Sequence, residues 1–517
     1  MIERKNVKPG IGGLLISVWI GCAAVVNTAS AQHEHEHDRA QDTTHVERGD
    51  ALRHGTESDQ HASHMEEMEG IEMGMSSAVL PDLPMSRDGS GTSWHPDASP
   101  VFGSHVQAGE WELMFHGNLV VRYNAQDAFD NGTRGDQAFG APNWLMAMAQ
   151  RDLNLNNQVG VRTMISLDPI TEGGNGYPLL FQTGETFEEE PLIDRQHPHE
   201  LFSELAVMYG RSIGERAGFF AYLGFPGAPA LGPPVFMHRP SALHLPDSPL
   251  GHHWQDATHI LFGVATIGFR YDVFKLDGSV FTGREPDENR FDFDRPRFDS
   301  YSLRLAANPN DRWALQVSRG FLKEPEVLHP EQNQWRTSAS ALHVEPLSGG
   351  RVWANSLVWG MNQIADGGHH TDEEPPGALH SLTFDSDVQL RRQAFYGRAE
   401  WVEKPAGELG LDQFGHSRMF GIGALSLGTA RDLVTLGIGR LELGGHATFY
   451  RVPEDLRPVY GSQPVSLQIY IRLSSTPVQM RHAEMPMGDD HEMPMGDGHE
   501  MPMRDGYEMH NHEMPGI

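Results

Sequence analysis

The chain has 517 residues, with 70 Asp and Glu against 39 Lys and Arg, and its formal net charge is −31. This excess of negative charge disfavours nucleic acid as a partner and favours cations. The hydrophobic content of 38% is low for a helical membrane protein. It does not exclude a β-barrel, because the strands of such barrels are apolar on one face only.

Residues 1–31 have the pattern of a cleaved export signal. Basic residues precede a short apolar stretch at 11–26, and an Ala-Ser-Ala cleavage site ends at Ala31. Lipidation of Cys22 is the alternative, but Trp19 stands where lipoprotein signals carry a smaller aliphatic residue. Cleavage after Ala31 would remove the only cysteine, which excludes disulfides and thiolate metal sites from the mature chain. The pattern predicts bacterial export to the periplasm, the outer membrane or beyond.

Residues 32–93 form a tract that is rich in His and Met, and we predict that it is a disordered tail. Thioether sulfur selects Cu(I), whereas imidazole also binds Cu(II), Zn(II) and Ni(II). Many weak ligands on one tail raise the metal concentration near the region that it flanks, without forming one defined site. The candidate ligands are His33, His35, His37, His61, His64, Met65, Met68, Met73 and Met75.

Residues 94–475 show short runs in which apolar and polar residues alternate, separated by Gly, Asn, Asp and Pro. Runs of nine to eleven residues suit tilted membrane strands, and aromatic residues near run ends suit an interfacial girdle. A soluble sandwich, propeller or barrel is the alternative. We predict an all-β fold, an antiparallel outer-membrane β-barrel of about 14–18 strands. The strand candidates are 111–123, 158–167, 298–306, 313–318, 357–361, 393–402, 420–427, 433–443, 447–451 and 465–473.

One stretch of the body, residues 168–259, departs from the alternation and is rich in Pro, Gly and His. It contains an H-x-H-E cluster, and Met237 adjoins one of its later histidines. Imidazole and carboxylate at this density suit a site for a borderline metal. The other interpretation is a Pro-rich loop that constricts the barrel lumen, and the two are compatible. The candidate ligands are His197, His199, His238, His252, His253 and His259.

An enzymatic interpretation rests on Ser203, His199 and Glu204, because some outer-membrane barrels place Ser, His and a carboxylate on the barrel wall. Proximity in sequence does not establish geometry, and no G-x-S-x-G motif is present in the sequence. We therefore predict that the protein is not an enzyme.

Residues 476–517 form a second tract with the same ligands, for which we also predict a disordered tail. The phrase EMPM recurs with a period of eight residues, and its Pro, with the Gly that follows, opposes a long helix. The candidate ligands are Met485, Met487, His491, Met493, Met495, His499, Met501, Met503, Met509, His510 and His512.

This layout of export signal, Met/His-rich segment and predicted barrel resembles the copper resistance protein B family. Phrases such as GYPLLFQTGE (176–185), DRQHPHELF (194–202) and ALGPPVFMHR (230–239) are more similar to uncharacterised bacterial outer-membrane proteins that accompany heavy-metal efflux systems. The resemblance implies a location in the outer membrane and periplasmic metal-handling or efflux proteins as partners. The C-terminal Met repeat departs from the usual layout of the copper family.

The sequence thus predicts an outer-membrane protein that binds copper, or another soft or borderline metal, and contributes to homeostasis or resistance by sequestration or assisted export. The partners expected are metal ions and outer-membrane lipid, with no nucleic acid. The alternatives are an outer-membrane hydrolase that acts on lipid, and a passive structural barrel or porin.

Overall fold

The computed structural model describes residues 75–328, 330–365, 377–437 and 439–477. These residues belong to one compact unit, built mainly of strands. Among them, no helix is both long enough and apolar enough to cross a bilayer. The predicted export signal, most of the N-terminal tract and nearly all of the C-terminal tract lie outside the described residues.

The strands are β1 (Ser104–Ala108), β2 (Trp111–Gln126), β3 (Asp136–Gly140), β4 (Asn143–Asn154), β5 (Asn157–Ile165), β6 (Tyr177–Pro178), β7 (Glu185–Phe187), β8 (Glu190–Leu192), β9 (Arg195–Gln196), β10 (Phe202–Ile213), β11 (Ala217–Gly224), β12 (Val264–Tyr271), β13 (Phe274–Phe281), β14 (Ser300–Asn310), β15 (Trp313–Leu322), β16 (Gln334–Leu347), β17 (Arg351–Ile364), β18 (Ala378–Gln389), β19 (Gln393–Pro405), β20 (Met419–Leu436), β21 (Gly439–Arg451) and β22 (Val465–Ser475). Short α-helices are α1 (Asp168–Thr171), α2 (His252–Gln255) and α3 (Arg457–Tyr460). Single 3₁₀ turns span Met85–Arg87, Phe236–His238, Pro240–Ala242, Ala257–His259, Asp412–Phe414 and Glu454–Leu456.

Within the described residues, sixteen strands form a closed antiparallel barrel, which confirms the predicted fold class. The barrel consists of β2, β4, β5 and β10 to β22, and it closes where β22 pairs with β2. The short strand β3 continues the line of β4 along β2, while β1 pairs with the opposite edge of the first half of β2.

The alternation that predicted the strands separates an apolar outer surface from a polar interior. In β13, Phe274, Leu276 and Val280 are exposed. Between them, Lys275 and Asp277 are buried. This arrangement is the reverse of a soluble protein and is the one required when lipid surrounds a barrel.

The connections alternate in length around the barrel. At one end the hairpins close through two or three residues, as at 155–156 and 214–216. At the other end the loops are long, and two of them fold into the lumen: the first lumen loop (166–201) and the second lumen loop (225–263). Short turns on one side and long loops on the other are typical of outer-membrane barrels.

Three pieces of chain therefore occupy the lumen, the two lumen loops and the N-terminal segment (residues 75–103). Each contacts inward-facing side chains of the wall. Arg162 of β5 donates a 2.7 Å hydrogen bond to the carbonyl of Gly91 in the N-terminal segment. Arg398 of β19 donates a 2.9 Å bond to the carbonyl of Asp247 in the second lumen loop.

The structure corrects two predicted boundaries. The stretch 168–259 is not one loop, because the hairpin of β10 and β11 divides it into the two lumen loops. The predicted tail at 32–93 is folded from residue 75 onward, where Leu80 and Trp94 are buried against the barrel wall. Local sequence propensity did not predict this folding, because the segment is stabilised by contacts with strands that are distant in the sequence.

Two further expectations about the strands also change. The predicted strand at 433–443 spans the hairpin turn between β20 and β21. Tyr450 and Tyr470, assigned to the aromatic girdle, are buried inside the barrel. Tyr450 lies near the end of β21, whereas Tyr470 lies in the middle of β22. In both strands the alternation of side chains directs the tyrosine to the lumen.

Candidate functional site

A histidine site lies where the two lumen loops meet. Glu185 begins β7 and His197 follows β9, both in the first lumen loop, whereas His253 lies in α2 of the second. One ligand atom from each of these residues lies within 4.8 Å of the other two. We call this group of Glu185, His197 and His253 the histidine–glutamate site.

Local backbone geometry allows this close approach. Gly184 precedes Glu185 with φ of +115°, and a Cβ built on it would lie 3.1 Å from Nδ1 of His253. A side chain at this position would therefore be strained and would press on the imidazole. Glycine lets the first lumen loop pass directly beside the ring.

One hydrogen bond orients the imidazole of His197 in the site. Nδ1 of His197 lies 3.0 Å from the carbonyl oxygen of Pro198, and Nε2 lies 3.2 Å from Oε1 of Glu185. Because a carbonyl only accepts, Nδ1 carries the proton and Nε2 presents its lone pair to the site. The same second-sphere arrangement orients histidine ligands in metalloproteins.

Burial sets the protonation states of the three groups. Burial, with the charge of Arg290, holds the pKa of His197 well below its usual range. Burial and the neighbouring His252 do the same to the pKa of His253. Both imidazoles are thus neutral near neutral pH and able to bind metal. Burial also raises the pKa of Glu185 to about 7, against the opposite effect of Arg290 at 3.6 Å.

The donor set determines which ions fit. Two imidazoles and one carboxylate suit Zn(II), Cu(II) and Ni(II), and leave further coordination positions for water or another ligand. The sequence did not single out Glu185, since it is one of several acidic residues in the run ETFEEE (185–190). Only the tertiary contact with α2 distinguishes it.

Three more of the predicted histidines extend the histidine–glutamate site into a chain of imidazoles. The ring centroid of His252 lies 5.4 Å from that of His253 and 5.3 Å from that of His259. His199 follows, with its centroid 5.6 Å from that of His259. A cavity of about 50 Å³, large enough for water, borders His197, His199 and His252.

Hydrogen bonds to Nδ1 hold the three added rings. His252 lies 2.6 Å from Oδ1 of Asp256, His259 lies 3.0 Å from the Asp256 carbonyl, and His199 lies 2.7 Å from Asp168. These contacts leave Nε2 as the free nitrogen of each ring. Nε2 of His259 is buried and has no hydrogen-bond partner among the described residues.

The remaining predicted ligands are not part of this chain of rings among the described residues. His238 has its recorded contacts outside this chain of rings, with Ser90 and Trp144. Met75 is not on a flexible tail, because it is buried in an apolar cluster of the lumen. The ligands predicted at 33–73 and 485–512 lie outside the described residues.

The structure does not assemble the proposed catalytic group. Glu204 forms a bidentate pair with Arg162 at 2.7 and 2.8 Å. Ser203 donates to the carbonyl of Glu200, and His199 is bonded to Asp168. Each of these three side chains is therefore bonded to a residue other than the two that the enzymatic interpretation requires.

Comparisons with known proteins add no functional assignment. No family model matches the sequence, and no curated protein matches it either. Similar solved structures include OmpF of Salmonella typhi in complex with daunomycin (TM-score 0.43, 10% identity, covering 72% of this chain and 100% of that one). Another is the anion-selective porin of Comamonas acidovorans (TM-score 0.41, 11% identity, 71% and 99%). A third is the channel DcaP of Acinetobacter baumannii (TM-score 0.38, 8% identity, 73% and 100%). These values indicate distant similarity.

Proposed function

We propose that this protein is a bacterial outer-membrane β-barrel that binds copper, and that it contributes to copper homeostasis or resistance by sequestration or assisted export. The apolar outer surface and the alternation of short turns with long loops support the membrane location. The observation that carries the metal-binding proposal is the convergence of His197, His253 and Glu185 inside the lumen.

Copper is favoured over other borderline metals by the sequence. Imidazole and carboxylate alone would serve Zn(II), Cu(II) or Ni(II), but the two Met/His-rich tracts at 32–93 and 476–517 add thioethers, which favour copper. We infer that the tracts concentrate metal near the barrel and that the lumen sites receive it. Periplasmic metal-handling or efflux proteins are the partners that such a role implies.

Copper tolerance of cells that express the full chain tests this function. We expect tolerance to fall when His197 and His253 are both changed to Ala. Glu185 would then be the only ligand of the site that remains, and a single carboxylate binds copper weakly. His343→Ala is the matched control, because His343 is a half-buried histidine of β16, outside the lumen loops. Equal tolerance of the double variant and the wild type, at equal levels in the membrane, would refute a role for the histidine–glutamate site.

The tracts are tested separately in the same cells. The N-terminal deletion should stop at residue 74, because the structure is folded from residue 75 onward. We expect deletion of 32–74 together with 480–517 to lower copper tolerance while the barrel still assembles. Unchanged tolerance to copper, with the deletion verified, would contradict the proposed role of the tracts.

A further inference from the structure

A second cavity, of about 140 Å³, lies between the N-terminal segment, the wall formed by β2 and β4, and the 3₁₀ turn Phe236–His238 of the second lumen loop. Its most distinctive feature is sulfur. Five thioether side chains line it, from Met85, Met114, Met146, Met148 and Met237. We call it the methionine cavity.

The register of the sheet places these side chains together. Met114 of β2 lies opposite Met148 of β4, and His116 lies opposite Met146. Because side chains two residues apart share a face, the pairs 114/116 and 146/148 both point into the lumen. The sequence phrases MFH and MAM therefore build one continuous patch of the wall.

Three imidazoles complete the lining, from His95, His116 and His238. Nε2 of each is buried and has no hydrogen-bond partner within the described part of the chain. A buried polar atom without a partner destabilises the fold. Three such atoms around one cavity are available to bind a ligand that enters it.

Each of the three parts that enclose the cavity contributes both kinds of donor. The N-terminal segment supplies Met85 and His95, and the second lumen loop supplies the adjacent Met237 and His238. Packing alone does not require histidine at an apolar cavity, and thioether sulfur is only a weak acceptor for water. A soft cation uses both donors.

The cationic side chains at the cavity do not prevent cation binding. Arg162 is neutralised by its bidentate pair with Glu204, and Arg239 by Asp256 at 3.0 Å. Arg440 lies 3.6 Å from Asp432 and 3.5 Å from Glu442. Asp88 also lines the cavity.

We propose that the methionine cavity binds Cu(I) through thioether sulfur and imidazole nitrogen, as a preorganised site separate from the histidine–glutamate site. The inference deepens the proposed copper function and rests on it for the choice of metal. The lumen would then have two sites with different metal preferences. The methionine cavity binds soft Cu(I), and the histidine–glutamate site binds borderline ions such as Cu(II).

The test is retention of Cu(I) by the purified full-length protein. Protein in detergent is loaded with Cu(I) without oxygen and then challenged with excess bathocuproine disulfonate. We expect the wild type to retain one Cu(I) per chain at this site, and the variant M146L/M148L to bind it at least tenfold more weakly. Met-to-Leu exchange conserves volume and is among the best tolerated core substitutions, so folding should persist.

Met208→Leu provides the matched control. Met208 is as deeply buried and belongs to the same apolar cluster, but it does not line the cavity. We expect Met208→Leu to retain Cu(I) like the wild type. X-ray absorption at the copper edge should show sulfur and nitrogen ligands in the wild type and in Met208→Leu. The same measurement should show a loss of sulfur ligands in M146L/M148L.

The outcomes separate this inference from the proposed function. Equal retention by M146L/M148L and the wild type, or no retained Cu(I) in either, overturns the Cu(I) site. Copper tolerance that still depends on His197 and His253 would then leave the proposed function standing. Conversely, if the wild type retains Cu(I) and M146L/M148L loses it, the result supports the cavity site even if cellular tolerance does not change.

Discussion

At the scale of residues, the lumen is organised by buried arginines that face carboxylates. Arg472 of β22 donates a 2.6 Å bond to Glu442 of β21, and both side chains are buried. Glu442 also lies 3.3 Å from Nε2 of His244 in the second lumen loop. Such pairs compensate the cost of burying charge and tie the loops to the wall.

The pair of Arg472 and Glu442 provides a stability prediction. We expect Arg472→Met to lower the free energy of unfolding by about 3 kcal/mol, because it removes the nearest cation from the buried Glu442 carboxylate and leaves only His244 at 3.3 Å and Arg440 at 3.5 Å. Unfolding in urea, followed in detergent, measures the loss. Arg312→Met is the control, since Arg312 pairs with Glu345 on the surface, where ion pairs contribute at most about 1 kcal/mol. Equal losses in the two variants would contradict the assigned role.

A second prediction concerns the glycine beside the histidine–glutamate site. We expect Gly184→Ala to weaken Co(II) binding at least tenfold, because the added methyl group would press on His253. The visible absorption of bound Co(II) reports the site directly. Gly214→Ala is the control, since it also adds a methyl at positive φ but meets no atom within 4 Å. Undiminished binding in Gly184→Ala would show that the contact does not shape the site.

At the scale of elements, the N-terminal segment acts as a plug held by bonds to the wall. Ser212 of β10 donates a 2.7 Å bond to Asp82, which also pairs with Arg270 of β12. Thr92 donates a 2.7 Å bond to Asp277 of β13. Such contacts replace the water that would otherwise fill a polar lumen.

The plug predicts a change in conductance. Because the segment occupies the lumen, we expect deletion of 32–93 to increase the single-channel conductance severalfold in planar bilayers. Deletion of 32–74 removes only residues outside the described fold and should leave the conductance near that of the full chain. A full chain that already conducts like an open porin would instead favour the passive alternative.

The elements also show how far sequence patterns predict the fold. The run 111–123 is confirmed as β2 and 465–473 as β22, since clean alternation and turn residues mark both. The strands β10 and β11 were missed because Pro, Gly and His dominate the sequence on both sides of them. Composition averaged over a window conceals a short hairpin between two irregular loops.

At the scale of the whole molecule, closure of the barrel creates both candidate metal sites. Pairing of β22 with β2 encloses a lumen in which inward-facing side chains and inserted loops share one interior. His197 and His253 are 56 positions apart in the numbering, yet they meet because their two loops enter the lumen from the same end. Met85 and Met148, distant in the sequence, similarly line one cavity.

The sequence by itself determined the class of fold, since alternation with a period of two, strand length and turn residues are local properties. It also determined the ligand chemistry, because thioether and imidazole donors are visible as composition. Only the tertiary structure decided which donors meet. Glu185 and the methionines of β2 and β4 acquire their neighbours from strand register and from the entry of loops into the lumen, and both depend on contacts between residues far apart in the chain.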